Sequence, residues 1–205
     1  VYNVMQDIMD YTYTEANVVT YNNLINGFKF GSSAHFPGAC TPPADPNQTY
    51  AVNISASNED TWGWPTFMDG LGTYSRKPTG AYLAPGSIAT VTVPQALVGK
   101  GYLIRVGSHT WDHTSKPTVR RLDRVSRAYA ITSTQTQVAS PLGGGIYIEV
   151  PYLVTNGVVS VQIKNAVRSP YFSAKSFHQT TLSEWQNTER NFPAPWADFQ
   201  SDKFM

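Results

Sequence analysis

The chain has 205 residues, enough to bury a core in one large domain or in one domain with a small extension. Charged residues are few, Tyr, Trp, Gly and Pro are plentiful, and the formal net charge is +1; that mix suits an all-β fold with many turns and gives no case for attraction to nucleic acid or membrane. Cys40 is the single cysteine, which excludes an internal disulfide and a Cys-rich zinc site.

Residues 1–30 are polar and rich in Tyr and Asn, with Val4, Ile8 and Met9 marking one weak helical face. Gly31–Asn47 is Pro-rich and turn-forming and is expected to bound a subdomain, within residues 1–76 assigned to a less regular N-terminal extension or to the end of a preceding subdomain. Trp62, Trp64 and Phe67 follow around Gly63 and Pro65. From Lys77 the texture turns to short strands, and residues 77–205 are assigned to a β-sandwich portion. Ser87–Val93 alternates with period two, Ala89, Val91 and Val93 against Ile88, Thr90 and Thr92, and Pro94 ends it by withholding a ladder donor. Gly101–Val106, Ala128–Thr132, Gly145–Val150 and Val158–Lys164 read likewise. Three glycines lead Leu142–Val150 (LGGGIYIEV) into its strand, which predicts positive φ or a close backbone approach there, with Glu149 on the outward side. Asn156-Gly157 predicts a hairpin turn between Leu153 and Val158.

Five or more such strands predict a mostly β fold, an antiparallel sandwich or jelly roll, with Val91, Ile104, Ile146, Ile148 and Val161 between the sheets. The period then changes. Thr181-Leu-Ser-Glu184 has capping-box spacing and opens a helix to about Arg190, and Pro195-Trp196 opens a second helical turn. Short helices therefore close the chain. They carry Trp185, Trp196 and Phe199, large apolar residues expected to pack partly on the sandwich and partly on a neighbouring domain.

Catalytic constellations are scarce. His109 and His113 stand four apart, the spacing of helical zinc pairs, but Gly107, Pro117 and the flanking threonines argue against a helix and no Glu follows His109. A post-strand loop with solvated or hydrogen-bonded histidines is the stronger reading, so no metal ligand is assigned. No G-x-S-x-G occurs, and Ser108, His109 and Asp112 lie too close in sequence for a triad. No catalytic residue is assigned. The basic run Lys116, Arg120, Arg121, Arg124 and Arg127 ordinarily reads as a solvated edge with one ion pair to Asp123. Its functional reading is an anion site for a sialylated or sulfated glycan at Arg120, Arg121 and Arg124, with Trp111 stacking on a sugar face. Asn47-Gln-Thr49 and Asn53-Ile-Ser55 match the glycosylation sequon, which matters only in a glycosylating host. No apolar run approaches the roughly 18 residues of a bilayer span. Val1 opens the sequence without a basic or apolar leader, so no signal peptide is read and the chain is taken as a piece of a longer polypeptide.

Seven segments stand in order: Thr79–Gly86 (TGAYLAPG), Thr90–Pro94 (TVTVP), Arg105–Thr114 (RVGSHTWDHT), Arg121–Arg127 (RLDRVSR), Pro141–Val150 (PLGGGIYIEV), Asn165–Phe172 (NAVRSPYF) and Pro193–Lys203 (PAPWADFQSDK). Together they resemble the N-terminal β-sandwich half of the M60 (enhancin-like) zinc metallopeptidases. The resemblance spans residues 77–205 and is closest to secreted immunomodulating metalloproteases of pseudomonads. It implies a bacterial parent, secreted or at the cell surface, that cleaves mucin-type O-glycosylated proteins with a zinc held by a His-Glu-x-x-His helix and a further Glu. This sequence contains no His-Glu-x-x-His. The resemblance therefore implies a non-catalytic scaffold and substrate-docking face, without cofactor of its own, partnered by the catalytic domain of the same polypeptide and by O-glycosylated host proteins. The other reading is a free-standing glycan- or protein-binding sandwich.

Overall fold

A computed structural model describes residues 1–59, 74–116 and 121–202, so Trp62, Trp64, Phe67, Arg120 and Lys203 lie outside the described residues. Three helices come first, α1 (Tyr2–Thr12), α2 (Glu15–Thr20) and α3 (Asn22–Ile25). Strands β1 (Thr49–Ser55), β2 (Tyr74–Leu83), β3 (Ile88–Thr92), β4 (Leu103–Val106), β5 (Arg127–Ala130) and β6 (Gln135–Ala139) follow. Then come β7 (Gly144–Pro151), β8 (Val158–Lys164), β9 (Val167–Arg168), β10 (Tyr171–Lys175) and β11 (His178–Gln179). Helix α4 (Leu182–Asn187) and strand β12 (Asp198–Gln200) end the described chain.

Two antiparallel sheets, ordered β1-β8-β3-β6 and β5-β4-β7-β2-β9, enclose one core. Val91 from β3 and Val161 from β8 meet Ile104 from β4 and Ile146 and Ile148 from β7, all five fully buried. Period-two alternation explains this, because it sends one side of each strand inward and leaves Thr90, Thr92, Ser160 and Gln162 on the other. The glycine lead-in behaves as its sequence predicts. Gly143 and Gly144 have φ of +70° and +136°, and a Cβ on Gly143 would stand 2.5 Å from the Leu83 carbonyl oxygen. Any side chain there would push β7 away from the end of β2.

Two expectations need correction. Asn156-Gly157 is not a hairpin turn within one sheet: β7 belongs to the five-stranded sheet and β8 to the four-stranded one, so the segment crosses between them. It is held by the Ser57 hydroxyl, which accepts from the Asn156 and Gly157 amides at 3.1 and 2.9 Å. Pro195-Trp196 opens no helix, because β12 runs parallel to β10 and the Asp198 amide donates to the Pro170 carbonyl. From Thr181 the capping box forms, with Glu184 bonded to both the Thr181 amide and hydroxyl at 2.8 Å, and the α-helix to Asn187 is followed by a 3-10 turn, Glu189–Asn191, that reaches the expected end. Glu149 points away from the inter-sheet core as its alternation predicts, and arginines of the adjacent strands cover it to 1% exposure.

Residues before 76 take part in the same packing. Strand β1 pairs with β8 along its whole length. On α1, Met9 packs with Phe30, Leu122 and Leu142. Strand β2 was illegible in sequence because Pro78 and Gly80 interrupt it; Pro78 sits at a register shift, where a strand tolerates a residue without a donor.

Candidate functional site

A cavity of about 620 Å³ opens where α1, the turn after Phe30, the two ends of the β4–β5 connection and the loop before β7 meet. Leu122 and Leu142, 5% and 1% exposed, belong to its lining with Val125, and Tyr2, Phe36 and Trp111 add rings. Its polar members include His35, His109, His113, Arg121 and Asp123. His109 packs edge-on to Phe36 at 4.8 Å and to Trp196 at 5.3 Å, and its Nδ1 lies 3.1 Å from the Ser108 hydroxyl. Burial and then the Arg76 and Arg121 charges hold its pKa below the ordinary histidine value. Arg121 donates to His113 Nε2, which places the His113 proton on Nδ1 and keeps that ring neutral. Desolvation and the Arg121 and Lys116 charges push its pKa down in the same sense.

The loops are fixed by a clamp that sequence reading missed. Asp10 on α1 accepts from both Arg124 and Arg127, and Gln6 Oε1 accepts from the Arg124 amide at 3.0 Å. Arg124 also reaches Asp112 at 3.1 Å, and hydrogen bonds from Thr114 and Arg124 lower the Asp112 carboxyl to about 2. Arg124 and Arg127 are therefore braced by Asp10 and Asp112; the Asp123 backbone carbonyl instead accepts from the His113 amide at 3.0 Å. Gln6 and Asp10 stand four apart on one helix, but nothing local tells that their partners lie more than a hundred residues away.

The outward side of β7 carries a buried polar cluster. Glu149 takes both oxygens to Arg105, through Nε and through Nη2 at 2.9 Å, and accepts Arg76 at 3.3 Å. Arg76 also donates to the Ser108 carbonyl at 2.6 Å, tying the cluster to the loop of His109. Tyr147 donates to Asp198 at 3.1 Å. Burial raises the Asp198 carboxyl to about 6, against the Tyr147 hydrogen bond and the Arg76 charge.

The sequence-predicted residues divide among these places. Arg121 and Trp111 meet at the cavity, Trp111 being 56% exposed with Lys116 over its ring at 5.7 Å. Arg124 is spent on Asp10 and Asp112. Trp185 and Phe199 come together at 5.2 Å with Phe172, an aromatic patch on which Phe199 is 46% exposed. Trp196 separates from them, stacking edge-on with Phe36 and His109. Among the described residues no group of three or more His, Cys, Asp or Glu side chains is placed to hold a metal, so the zinc implied by the resemblance does not fit this part of the chain. No described helix is long and apolar enough to cross a membrane.

A two-sheet antiparallel domain with a braced loop cavity is the class of protein defined so far. The model of the N-terminal domain of M60-like peptidases matches residues 45–164, and the chain belongs to that family. The matched range begins before residue 77 because it takes in β1, and it ends with β8. Mouse TRPM8 channel-associated factor 3 is 30% identical over 169 residues, 82% of this chain and 16% of that protein. Human TRPM8 channel-associated factor 2 is 31% identical over 127 residues, 62% of this chain and 14% of that protein. The chain thus spans a small fraction of the curated relatives it matches. Among solved structures, IMPa metallopeptidase from Pseudomonas aeruginosa superposes with a TM-score of 0.57 at 15% identity, over 98% of this chain and 23% of that one. A functionally unknown conserved protein from Bacillus anthracis gives 0.50 at 15% identity, over 75% of this chain and 28% of that one. At such identities these two likenesses speak for the fold alone.

Proposed function

We propose that this chain is the non-catalytic N-terminal sandwich of an M60-like zinc metallopeptidase, serving as scaffold and docking face for the catalytic part. The observation that carries the reading is the family match over residues 45–164 in a sequence without His-Glu-x-x-His. On this reading the parent is secreted or surface-bound in a bacterium, holds its zinc in the catalytic part, and cleaves mucin-type O-glycosylated proteins. The patch of Phe172, Trp185 and Phe199 is the surface offered to the catalytic domain, and Arg121 with Trp111 is the surface offered to a glycan. Deleting this sandwich from the parent should raise KM for an O-glycosylated peptide more than it lowers kcat. An unchanged KM would remove the docking role.

A second reading is favoured by one observation: relatives near 30% identity are named as channel-associated factors. In it the sandwich binds a protein partner and the parent has no peptidase activity. A zinc-dependent cleavage by the parent separates the two.

A further inference from the structure

We propose that the 620 Å³ cavity is a binding site for a small carboxylate on a compact body with an apolar face, either a sialic acid or an aryl carboxylate. The proposal rests on the docking reading above and moves the contact from an open arginine surface into a half-open pocket. The volume falls in the range of about 300–1,000 Å³ typical of small-molecule sites. Leu122, Leu142 and Val125 supply apolar surface for the ligand body, and Trp111, Phe36 and Tyr2 supply ring faces and edges.

Charge decides the other end. Arg121 spends one nitrogen on His113, and the rest of its guanidinium fork has no hydrogen-bond partner among the described residues. Lys116 stands over Trp111, and the Arg76 charge reaches His109. The described lining itself holds one guanidinium, Arg121, and one carboxylate, Asp123, while the Arg76 charge is shared with Glu149. Arg124, by contrast, is already neutralised by Asp10 and Asp112 and has little left for a ligand. The fork of Arg121 beside an apolar wall matches a planar carboxylate bidentately, a geometry that a neutral sugar does not satisfy.

The test is titration of the 205-residue chain with N-acetylneuraminic acid, indole-3-acetate and neutral N-acetylgalactosamine, read by tryptophan fluorescence and by calorimetry. At least one carboxylate should saturate at millimolar concentration or below, and the neutral sugar should bind at least tenfold more weakly. Arg121→Gln and, separately, Ser32→Trp, which fills the mouth from an exposed position, should each weaken the carboxylate about tenfold or more while leaving Tm unchanged. Which carboxylate binds assigns the source. No saturation by either carboxylate up to about 10 mM, or affinity indifferent to both substitutions, overturns the proposal. Capture of a sialylated glycopeptide that survives Ser32→Trp also overturns the cavity but keeps the docking reading.

Discussion

Replacing Glu149 with Ala removes the acceptor for two guanidinium groups at once. The carboxylate is 1% exposed, its bidentate partner Arg105 has a side chain 7% exposed, and Arg76 adds a third contact at 3.3 Å. Losing one partner of a buried pair costs about 3–5 kcal/mol, because the remaining charge keeps its desolvation penalty without its attraction. Against a total stability of about 5–15 kcal/mol that is a large fraction. In a domain of this size it lowers Tm by about 6–20 °C. Arg76 suffers less than Arg105, since its side chain is 19% exposed and retains the Ser108 carbonyl. Urea unfolding followed by circular dichroism measures the loss. Replacing the pair together, Arg105→Met with Glu149→Leu, should recover most of it, because no buried Arg105 charge is then left unmatched. A Glu149→Ala loss below about 1 kcal/mol would refute the burial argument, as would a double variant no better than the single one.

Ile148→Ala, at a fully buried site opposite Ile104, should cost about 2–5 kcal/mol in the same assay. Asp198 makes stability pH-dependent. Its folded carboxyl, at about 6 against an ordinary 3.8, binds more protons folded than unfolded, so stability falls as pH rises through that window. The loss is about 3 kcal/mol, and Asp198→Asn, which keeps an acceptor for Tyr147, should abolish that slope. Trp185→Ser with Phe199→Ser should leave the Tm of the chain within a few degrees but weaken its association with the separately expressed catalytic part at least tenfold, measured by calorimetry.

The inter-sheet core was legible because alternation is local: Ala89, Val91 and Val93 declare their side of β3 within seven residues. The capping box at Thr181 and the glycine lead-in to β7 were legible for the same reason, each needing only its neighbours. What failed depended on distant partners. Trp196 looked helical beside Pro195 until β10 recruited the residues after it as a parallel strand. Glu149 is outward as its alternation predicts, but its burial under Arg76 and Arg105 depends on the two flanking strands and could not be read locally. The candidate site was half legible. Trp111 and Arg121 stood out by residue type, whereas His35, Phe36 and the Asp10 clamp enter only because the N-terminal helices fold back on the loops.

The central claim is that this sandwich belongs to a peptidase whose chemistry lies elsewhere in the polypeptide. Its most direct test is hydrolysis of an O-glycosylated peptide by the whole parent and by the 205-residue chain, each with zinc and after chelation. The account predicts zinc-dependent cleavage by the parent and none by the chain, together with no submicromolar zinc binding by the chain in calorimetry. Cleavage by the chain alone, or stoichiometric zinc binding that His109→Ala and His113→Ala abolish, would contradict it.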